Sequence, residues 1–357
     1  MDFLLGKRLN QLNGPILVTG HTGFKGTWLT LLLEKMGVPV VGLSLPPSEG
    51  SLYTRLSRQE IIPEVYGDIR NLATVAETFN EFKPGAVIHM AAQPLVIQSY
   101  ETPIDTFEIN VMGTVNVLDT AIKCDSVKGI IAVTTDKVYR NEESGRKFIE
   151  SDPLSGRDPY SASKVGSEAA IAAWQQISEG IAGPQIVAVR AGNVIGGGDW
   201  SSNRLMPDLI KGFSLNRYVE IRNPSSTRPW QHALDPIHGY LMSLEAILDG
   251  DCRSAYNFGP LEKSLNVGEV ADIARRCWFE KVEVVLGKTE SKAKEATLLE
   301  LDPTLAMEEL GWKPAWNQIE AVESTVDWWA EHLNNGTKAD LLCEKDLEDF
   351  TSRLKSL

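Results

Sequence analysis

A short apolar run that leads into a glycine-rich turn constrains the fold of this chain more than any other feature. Residues 15–18 are apolar, and residues 28–37 have helical content that ends at a glycine. Between them, Gly20, Gly23 and Gly26 have the spacing GxxGxxG. Glycine allows a tight turn and a close approach of the backbone to a ligand, and the N-terminus of the next helix attracts negative charge. The pattern predicts a strand–turn–helix unit that holds the pyrophosphate of a dinucleotide.

Short apolar runs continue to alternate with helical segments through the first half of the chain. The predicted strands are 38–43, 64–69, 86–90, 129–134 and 185–190, and the predicted helices are 72–82, 103–123 and 160–178. These strands do not alternate between polar and apolar residues, which is typical of parallel strands that are buried on both faces. We therefore predict an α/β fold with a doubly wound parallel sheet, the Rossmann fold.

The pattern changes after residue 190. A glycine-rich loop occupies residues 196–200, and the later helices and strands are shorter and irregular. We predict an NAD-binding Rossmann domain over 1–190 and a smaller, mostly helical substrate lobe over 191–333, from which the chain crosses back to the sheet. Residues 334–357 are polar and charged, and we expect a C-terminal tail with a loosely packed helix.

Charge and cysteine usage limit the partners and the compartment. The net charge of −13 over 357 residues argues against nucleic acid, which needs a basic surface. No apolar run is long enough to cross a membrane, and residues 1–8 do not resemble a signal peptide. The cysteines are scattered, without a CxxC pair or a histidine at metal-ligand spacing, so we expect no metal site and a reducing, cytoplasmic location.

A second motif lies at the start of the predicted helix 160–178. Tyr160 and Lys164 are four residues apart, so they share one face of the helix. An ammonium near a phenol lowers the pKa of the phenol, and such a tyrosine can take the proton of a substrate hydroxyl while hydride leaves its carbon. Together with the glycine-rich turn, this pair predicts nicotinamide chemistry on an alcohol.

Other residues near the predicted cofactor site are less decisive. The acidic residue that usually reads the ribose after the second strand is absent; Leu43, Ser44 and Leu45 stand there, without an arginine. The sequence therefore does not decide between NAD and NADP. Asp68 fits a contact with adenine, or else a loop cap, and Lys25 fits a cofactor phosphate, or else a solvated lysine.

Longer motifs carry a resemblance to a known family. They are GHTGFKG at 20–26, HMAAQPLV at 89–96, TDK at 135–137, RAGNVIGGGDW at 190–200 and RPWQH at 228–232. With them the chain resembles an extended short-chain dehydrogenase/reductase, and within that superfamily the nucleotide-sugar 4,6-dehydratases. The resemblance extends from about residue 14 to residue 329.

The resemblance implies a redox-neutral lyase reaction on CDP-glucose or a related nucleotide sugar. Hydride leaves C4 of the hexose for bound NAD⁺, the resulting ketone acidifies the C5 proton, water is lost across C5 and C6, and hydride returns to C6. The product would supply 6-deoxy sugars for cell-surface polysaccharide. Three alternatives stay open: the same reaction on another nucleotide sugar, a nucleotide-sugar 4-epimerase, and a non-catalytic nucleotide-binding protein.

The TDK motif bears on these alternatives. Elimination needs an acid for the leaving C6 hydroxyl, and Asp136 is the candidate, which speaks against an epimerase. Lys137 stands where most sugar 4,6-dehydratases have glutamate. It is either a C5 base with a strongly lowered pKa or a cation that stabilises the enolate. Thr135 can bond the C4 oxygen and completes a catalytic set with Tyr160 and Lys164.

The resemblance also extends the set of binding residues. For the cofactor it is Gly20, His21, Gly23, Phe24, Lys25, Gly26, Asp68, Ile69, Ala91, Ala92, Gln93, Tyr160 and Lys164. For the substrate it is Gln93, Asn193, Arg204 and Arg228. A guanidinium matches phosphate oxygens in a bidentate way, so the two arginines are expected to bind the nucleotide diphosphate.

The helices predicted at 103–123 and 160–178 carry apolar residues beyond one face. Val111, Val115, Leu118 and Ile122 have helical spacing. The small side chains of Ala169, Ala170, Ala172 and Ala173 would allow another helix to approach closely. In relatives two such helices from each subunit form a four-helix dimer interface, so we expect a homodimer; the alternative is a monomer that buries these residues.

Overall fold

A computed structural model describes residues 7–221, 223–278, 282–287 and 298–357. Residues 1–6, most of the segment for which we predict no signal peptide, lie outside the described residues. Among the helices in the described ranges, none combines the length and the apolar character that a membrane crossing requires.

Parallel strands dominate the architecture. The strands are β1 (Ile16–Thr19), β2 (Val40–Ser44), β3 (Glu64–Tyr66), β4 (Ala86–His89), β5 (Gly129–Val133), β6 (Gln185–Ala191), β7 (Asn193–Ile195), β8 (Val219–Ile221), β9 (Trp230–His232), β10 (Ala255–Phe258) and β11 (Val284–Leu286). Seven of them form one sheet in the order β10-β6-β5-β4-β1-β2-β3, with every pairing parallel. The strand order reverses between β1 and β4, so a ligand crevice is expected at their carboxyl ends. The predicted doubly wound fold is confirmed.

Helices cover both faces of this sheet, and others belong to the part of the chain after residue 190. They are α1 (Phe24–Lys35), α2 (Leu52–Arg55), α3 (Leu72–Phe82), α4 (Val96–Glu101), α5 (Pro103–Phe107), α6 (Gly113–Ile122), α7 (Pro159–Gly180), α8 (Leu205–Ser214), α9 (Leu234–Asp249), α10 (Val267–Cys277), α11 (Thr304–Leu310), α12 (Gln318–Asn334) and α13 (Ala339–Leu354). A π-helical turn, Glu108–Met112, joins α5 to α6, so the helix predicted at 103–123 is present but locally widened. Short 3₁₀ turns occur at Leu9–Gln11 and Asp136–Val138.

The central strands are buried on both faces, as their sequence predicts. Ile16 and Val18 pack into one hydrophobic cluster, whereas Leu17, between them, packs into the other. Because successive side chains of a strand point to opposite faces, the two clusters lie on the two sides of the sheet. This double burial explains why the strands are continuous apolar runs and why the sheet is parallel throughout.

Local sequence sets the start of the helix that carries Tyr160. Asp158 accepts a hydrogen bond from the backbone of Ser161, and the Ser161 side chain bonds back to the backbone of Asp158, which forms a capping box. Pro159 occupies the first turn, where its missing N–H costs nothing. The cap fixes where α7 begins and therefore which face its side chains occupy.

Residues 334–357 do not form the loosely packed segment that we expected. The helix α13 buries Leu342, Leu347 and Phe350 against the main cluster, and Phe350 is 0% exposed. The composition is polar because only one face of this helix is apolar. The expectation was wrong because average polarity does not show whether a helix has such a face.

The apolar stripe expected on the predicted helix 103–123 also differs from the one observed. Leu118 and Ile122 are buried in the core of the subunit itself. The exposed apolar side chains of this region are Ile104, Phe107 and Met112, with 74%, 41% and 52% of their surface accessible. The outward apolar face therefore lies nearer the start of the segment than the sequence suggested.

The chain after residue 190 is joined to the sheet. β10 pairs with β6, from Ala255 opposite Ala188 to Phe258 opposite Ala191. Two small parallel pairs, β7 with β9 and β8 with β11, build the rest of this part together with α8 to α12. The division of the chain at residue 190 stays a prediction.

Candidate active site

The glycine-rich turn joins β1 to α1 at the edge of the reversal in strand order. Gly20 has a φ of +78°, a conformation that side chains with a Cβ rarely adopt. Gly23 is the N-cap of α1, and no side chain caps this helix. A Cβ added at Gly26 would lie 2.1 Å from the carbonyl oxygen of Gly20. The turn therefore closes only with glycine here, and it presents an uncapped helix N-terminus, which fits a pyrophosphate.

The end of β4 lies against this turn. The Thr19 hydroxyl is 2.7 Å from Nδ1 of His89, and it accepts hydrogen bonds from the backbone amides of Met90 and Ala91. A Cβ added at Gly20 would meet backbone atoms of Ala91 at 2.9 Å. The Ala91 segment thus forms the second wall of the crevice, where the sequence predicts a cofactor contact.

The predicted catalytic set converges at the ends of β5 and α7. The phenol of Tyr160 shares a hydrogen bond with Thr135, and the Tyr160 amide donates to the hydroxyl of Ser99. Lys164 donates to the carbonyl oxygen of Val133 at 3.2 Å and is buried. The strand end and the helix start therefore bring together residues that are widely separated in sequence.

The pKa of Tyr160 does not follow the prediction. Burial raises it to about 12, and the hydrogen bond with Thr135 and the charge of Arg204 offset only part of this rise. We expected Lys164 to lower it, but the Lys164 ammonium is bonded to a backbone carbonyl. Desolvation of the phenolate is the larger effect. The prediction of a lowered pKa was wrong, and the phenol is protonated near neutral pH.

Asp136 and Lys137 form an ion pair next to Thr135, in which the carboxylate is buried and the lysine is partly exposed. Asp136 is 0% exposed, and its Oδ1 accepts a hydrogen bond from the Thr135 hydroxyl at 2.9 Å. Nζ of Lys137 lies 3.3 Å from the same Oδ1 and 3.3 Å from Oδ1 of Asn193. A surface ion pair is thereby excluded for Asp136, and the structure brings the candidate acid, the lysine and Asn193 together.

Lys25 lies deeper in the crevice than the sequence suggested. Its ammonium donates to the hydroxyl of Tyr240 at 3.2 Å, rather than lying in solvent. Burial, together with the positive charges of Lys164 and Arg204, lowers the pKa of Lys25 to about 7. Lys25 is thus a titratable group beside the catalytic set, which only the fold reveals.

One cavity of about 360 Å³ is lined by three of the five predicted catalytic residues and three of the four predicted substrate-binding residues. The residues that line it include Lys25, Thr135, Lys137, Tyr160, Asn193, Arg204 and Arg228. Arg204 is held by Asp199, with 3.3 Å between Nη1 and Oδ2, and Arg228 is buried and donates to the carbonyl oxygen of Thr227. A volume of this size is typical of a small-molecule site, and two guanidiniums in its wall suit an anionic ligand.

Two predicted binding side chains have other partners in the structure. The His21 imidazole is fully buried, 2.8 Å from Oε2 of Glu64, so only its backbone can face a ligand at the turn. The Gln93 amide donates to Thr106 and accepts from the amide of Leu95, and it does not line the cavity. These two side chains support the neighbouring backbone and do not line the cavity.

The two residues predicted to contact adenine, Asp68 and Ile69, interact with other residues in the structure. Asp68 is paired with Arg70 at 2.7 Å, and this guanidinium keeps the pKa of the Asp68 carboxyl below its usual range. Ile69 is buried beside Gly113, where an added Cβ would meet the Ile69 side chain at 2.4 Å. A contact of either residue with adenine stays a prediction.

Sequence reasoning missed a buried ion pair behind the catalytic set. Glu168 and Arg190 are joined by hydrogen bonds of 2.8 Å from Nε and from Nη2. Glu168 stands one helical turn after Lys164, which is the signal that could have drawn attention to it.

The sequence matches both a protein-family model and individual proteins of known function. A family model described as GDP-mannose 4,6 dehydratase matches residues 17–325. The CDP-glucose 4,6-dehydratase of Salmonella typhimurium (strain LT2) is 38% identical over 361 residues, which cover 98% of each chain. The dTDP-glucose 4,6-dehydratase of Xanthomonas campestris pv. campestris (strain ATCC 33913) is 24% identical and covers 88% of this chain and 92% of its own.

Solved structures match the same fold. A dTDP-glucose 4,6-dehydratase from Streptomyces venezuelae with NAD and TYD bound has a TM-score of 0.75 at 24% identity, covering 90% of this chain and 98% of its own. A UDP-glucose-4-epimerase from Stenotrophomonas maltophila with bound NAD and formylated UDP-arabinopyranose has a TM-score of 0.78 at 21% identity, covering 91% and 100%. At such identities the likeness shows the fold.

Proposed function

The chain belongs to the GDP-mannose 4,6 dehydratase family, and we propose that it is an NAD-dependent 4,6-dehydratase that converts CDP-glucose to CDP-4-keto-6-deoxyglucose and water. The observation that carries the reaction is the position of Asp136, an acid beside the Thr135–Tyr160 pair and the Lys137 ammonium. Alcohol oxidation alone needs only the Tyr160 set, whereas loss of water also needs such an acid. The near full-length match to the Salmonella enzyme supports CDP-glucose as the substrate.

The cofactor site is the crevice between the glycine-rich turn and the Ala91 segment. When bound there, NAD⁺ would supply the hydride acceptor for C4 and the hydride donor for C6, so the cycle needs no other oxidant. The uncapped N-terminus of α1 would hold the pyrophosphate. Tyr160 and Lys164 would face the nicotinamide end, in accordance with the sequence prediction.

Tyr160 handles the first proton. Its phenol shares a hydrogen bond with Thr135, so a C4 hydroxyl placed between the two side chains can pass its proton to the phenol oxygen. Because burial raises the pKa of Tyr160 to about 12, the phenol must lose its own proton before it can accept another. A nearby ammonium favours that ionised form, which is the role we give to Lys164.

Asp136 and Lys137 act in the elimination. Asp136 takes up a proton and gives it to the C6 hydroxyl, which leaves as water while the C5 proton is lost. The ammonium of Lys137, held by Asp136 and Asn193, stabilises the negative charge that develops on the C4 oxygen, and the C5 proton leaves through water. A proton returns to C5 at the end, so one water is lost overall.

The far part of the cavity would hold the nucleotide diphosphate. Arg204, braced by Asp199, and the buried Arg228 supply two guanidiniums for the phosphate oxygens. Asn193 also lines the cavity and contacts Lys137 of the catalytic set. This arrangement supports a nucleotide sugar over a free sugar, because a free sugar carries no charge for the arginines.

We further propose a homodimer built by a four-helix bundle from α5–α6 and α7 of each subunit. Ile104, Phe107 and Met112 are exposed apolar side chains on the first helical segment. On α7, Ala169 and Ala173 are exposed and small enough for close approach of another helix. A cytoplasmic location stays a prediction from cysteine usage.

Mass spectrometry of the products tests the proposed activity. The protein is incubated with NAD⁺ and, in separate reactions, CDP-glucose, UDP-glucose or dTDP-glucose, with Tyr160→Phe as the matched inactive control. We expect loss of one water from CDP-glucose and little or none from the other two. Interconversion of C4 epimers without a mass change would make the protein an epimerase, and inertness toward all three would refute the proposed substrate.

A further inference from the structure

We propose that Glu168 is a positioning residue for the reaction proposed above, because it ties the end of β5 to α7 and holds Lys164 in its charged form. The inference rests on the proposed function for its kinetic consequence. Its structural basis is a buried hydrogen-bond network around Glu168, whose side chains take no direct part in the proposed catalytic steps.

Glu168 connects the two elements that carry the catalytic set. Its Oε1 accepts a hydrogen bond from the hydroxyl of Thr134, the residue between Val133 and Thr135. Val133 provides the carbonyl that holds the Lys164 ammonium, and Thr135 bonds the Tyr160 phenol. One carboxylate on α7 therefore fixes the strand end that both catalytic side chains of the same helix contact.

Arg190 on β6 fixes this carboxylate in turn. Nε and Nη2 donate to the two carboxylate oxygens at 2.8 Å each, and Nη1 donates to the hydroxyl of Tyr139 at 2.8 Å. The Tyr139 hydroxyl donates to Oδ1 of Asn257 on β10. The network thus runs from α7 through three strands and leaves Glu168 a single orientation.

Stability alone does not account for this ion pair. Two charges lose their hydration when they are buried, and apolar residues of similar size would often stabilise a protein as well or better. Glu168 and Arg190 are 5% and 6% exposed at their side chains. Glu168 stands one helical turn after Lys164. The buried pair is therefore better explained by the effect of the Glu168 charge on the Lys164 ammonium.

The surroundings of Lys164 are otherwise unfavourable to a positive charge. Lys25 from α1 is a second cation nearby, and His89 from β4 and Tyr160 from α7 are buried groups without negative charge. Burial lowers the pKa of Lys164 to about 8, and the charge of Glu168 acts in the opposite direction. Without this carboxylate, the lysine would lose its proton at a lower pH and could no longer favour ionised Tyr160.

The titration of Lys164 can be measured without substrate. Protein labelled at lysine Cε with carbon-13 is titrated by NMR, and Lys164→Met identifies the resonance. We expect Glu168→Gln to lower the midpoint by about one pH unit, because an opposite charge nearby is lost. Glu168→Asp keeps the negative charge but places it farther from Lys164, because the side chain is one methylene shorter. This variant should therefore lower the midpoint less. Glu179→Gln, on the exposed side of the same helix, should match the parent.

The pH profile of kcat with CDP-glucose provides the second measurement. In Glu168→Gln the alkaline limb of the profile should shift to lower pH by about one unit, as the Lys164 midpoint does. We expect kcat to fall about tenfold above the new midpoint and to change little below it. A uniform loss at every pH with an unchanged Lys164 midpoint would show a merely structural role and overturn the proposal. If Glu168→Gln does not fold, a parental midpoint in Glu168→Asp overturns it. If the parent is inert, the proposed function fails, and the NMR titration still tests Glu168.

Discussion

Replacement of Gly26 by alanine is the sharpest test of the cofactor site. A Cβ at this position would lie 2.1 Å from the carbonyl oxygen of Gly20 and 2.7 Å from Cα of His21. Carbon atoms in contact prefer about 3.5–4.0 Å, so the turn must open by more than about 1 Å. Both neighbouring atoms belong to the backbone and cannot rotate away.

The expected cost falls on cofactor binding. Forcing an extra methyl group into a packed position costs about 1–3 kcal/mol. The ligand-free variant can relieve this strain by opening the turn, but the turn must close again around the pyrophosphate. Since 1.4 kcal/mol corresponds to a factor of ten, we expect NAD⁺ to bind Gly26→Ala about 10–100-fold more weakly.

Isothermal titration with NAD⁺ measures this effect, and circular dichroism shows that the variant is folded. Gly180→Ala is the matched control, since a Cβ added there meets no atom within 4 Å. This control should bind NAD⁺ as the parent does. Parental affinity in folded Gly26→Ala would refute the argument that the closed turn is the cofactor site.

Four further changes test other parts of the site and the assembly. Tyr160→Phe should retain NAD⁺ binding in titration but lose at least ~100-fold in nicotinamide reduction with CDP-glucose; substantial turnover would remove Tyr160 from its role. Asp136→Asn should still form reduced nicotinamide, seen by its near-ultraviolet absorbance, yet release little dehydrated sugar in the mass spectrum, and a parental product rate would exclude Asp136 as the acid. Lys25→Met should be more stable than the parent at about pH 6. Burial and the neighbouring positive charges lower the pKa of Lys25 from its ordinary value of 10.5 to about 7, so the parent is destabilised below pH 7 and recovers stability as the pH rises between these values. Unfolding in urea at several pH values checks this, and a difference that does not shrink with rising pH would contradict it. Ile104→Asp should convert the proposed dimer to a monomer in light scattering, while Leu215→Asp, at an exposed position just after α8, should not; equal masses for both variants would contradict the proposed interface.

The sequence predicted those features that depend on residues close together in the chain. The spacing of Gly20, Gly23 and Gly26 predicts the turn because backbone conformation at a glycine is a local property. Continuous apolar runs predict the parallel sheet because strands buried on both faces need no polar side. Tyr160 and Lys164 share a helix face because four residues make about one turn.

Other properties of the site depend on what the fold places around a residue. Lys25 and Tyr240, whose contact sets the environment of that lysine, are 215 positions apart. Glu168 and Arg190 are 22 positions apart in the sequence. Neither the Tyr160–Lys164 motif nor the motif that begins at Arg190 marks them as partners.

The pKa of Tyr160 shows the physical reason for this difference. A neighbouring lysine in the sequence predicts a lowered value, whereas burial raises it to about 12. Desolvation depends on all the atoms that exclude water, and these come from several strands and helices. Local sequence therefore determined the motifs and the backbone that presents them, and tertiary packing alone decided their charge states and partners.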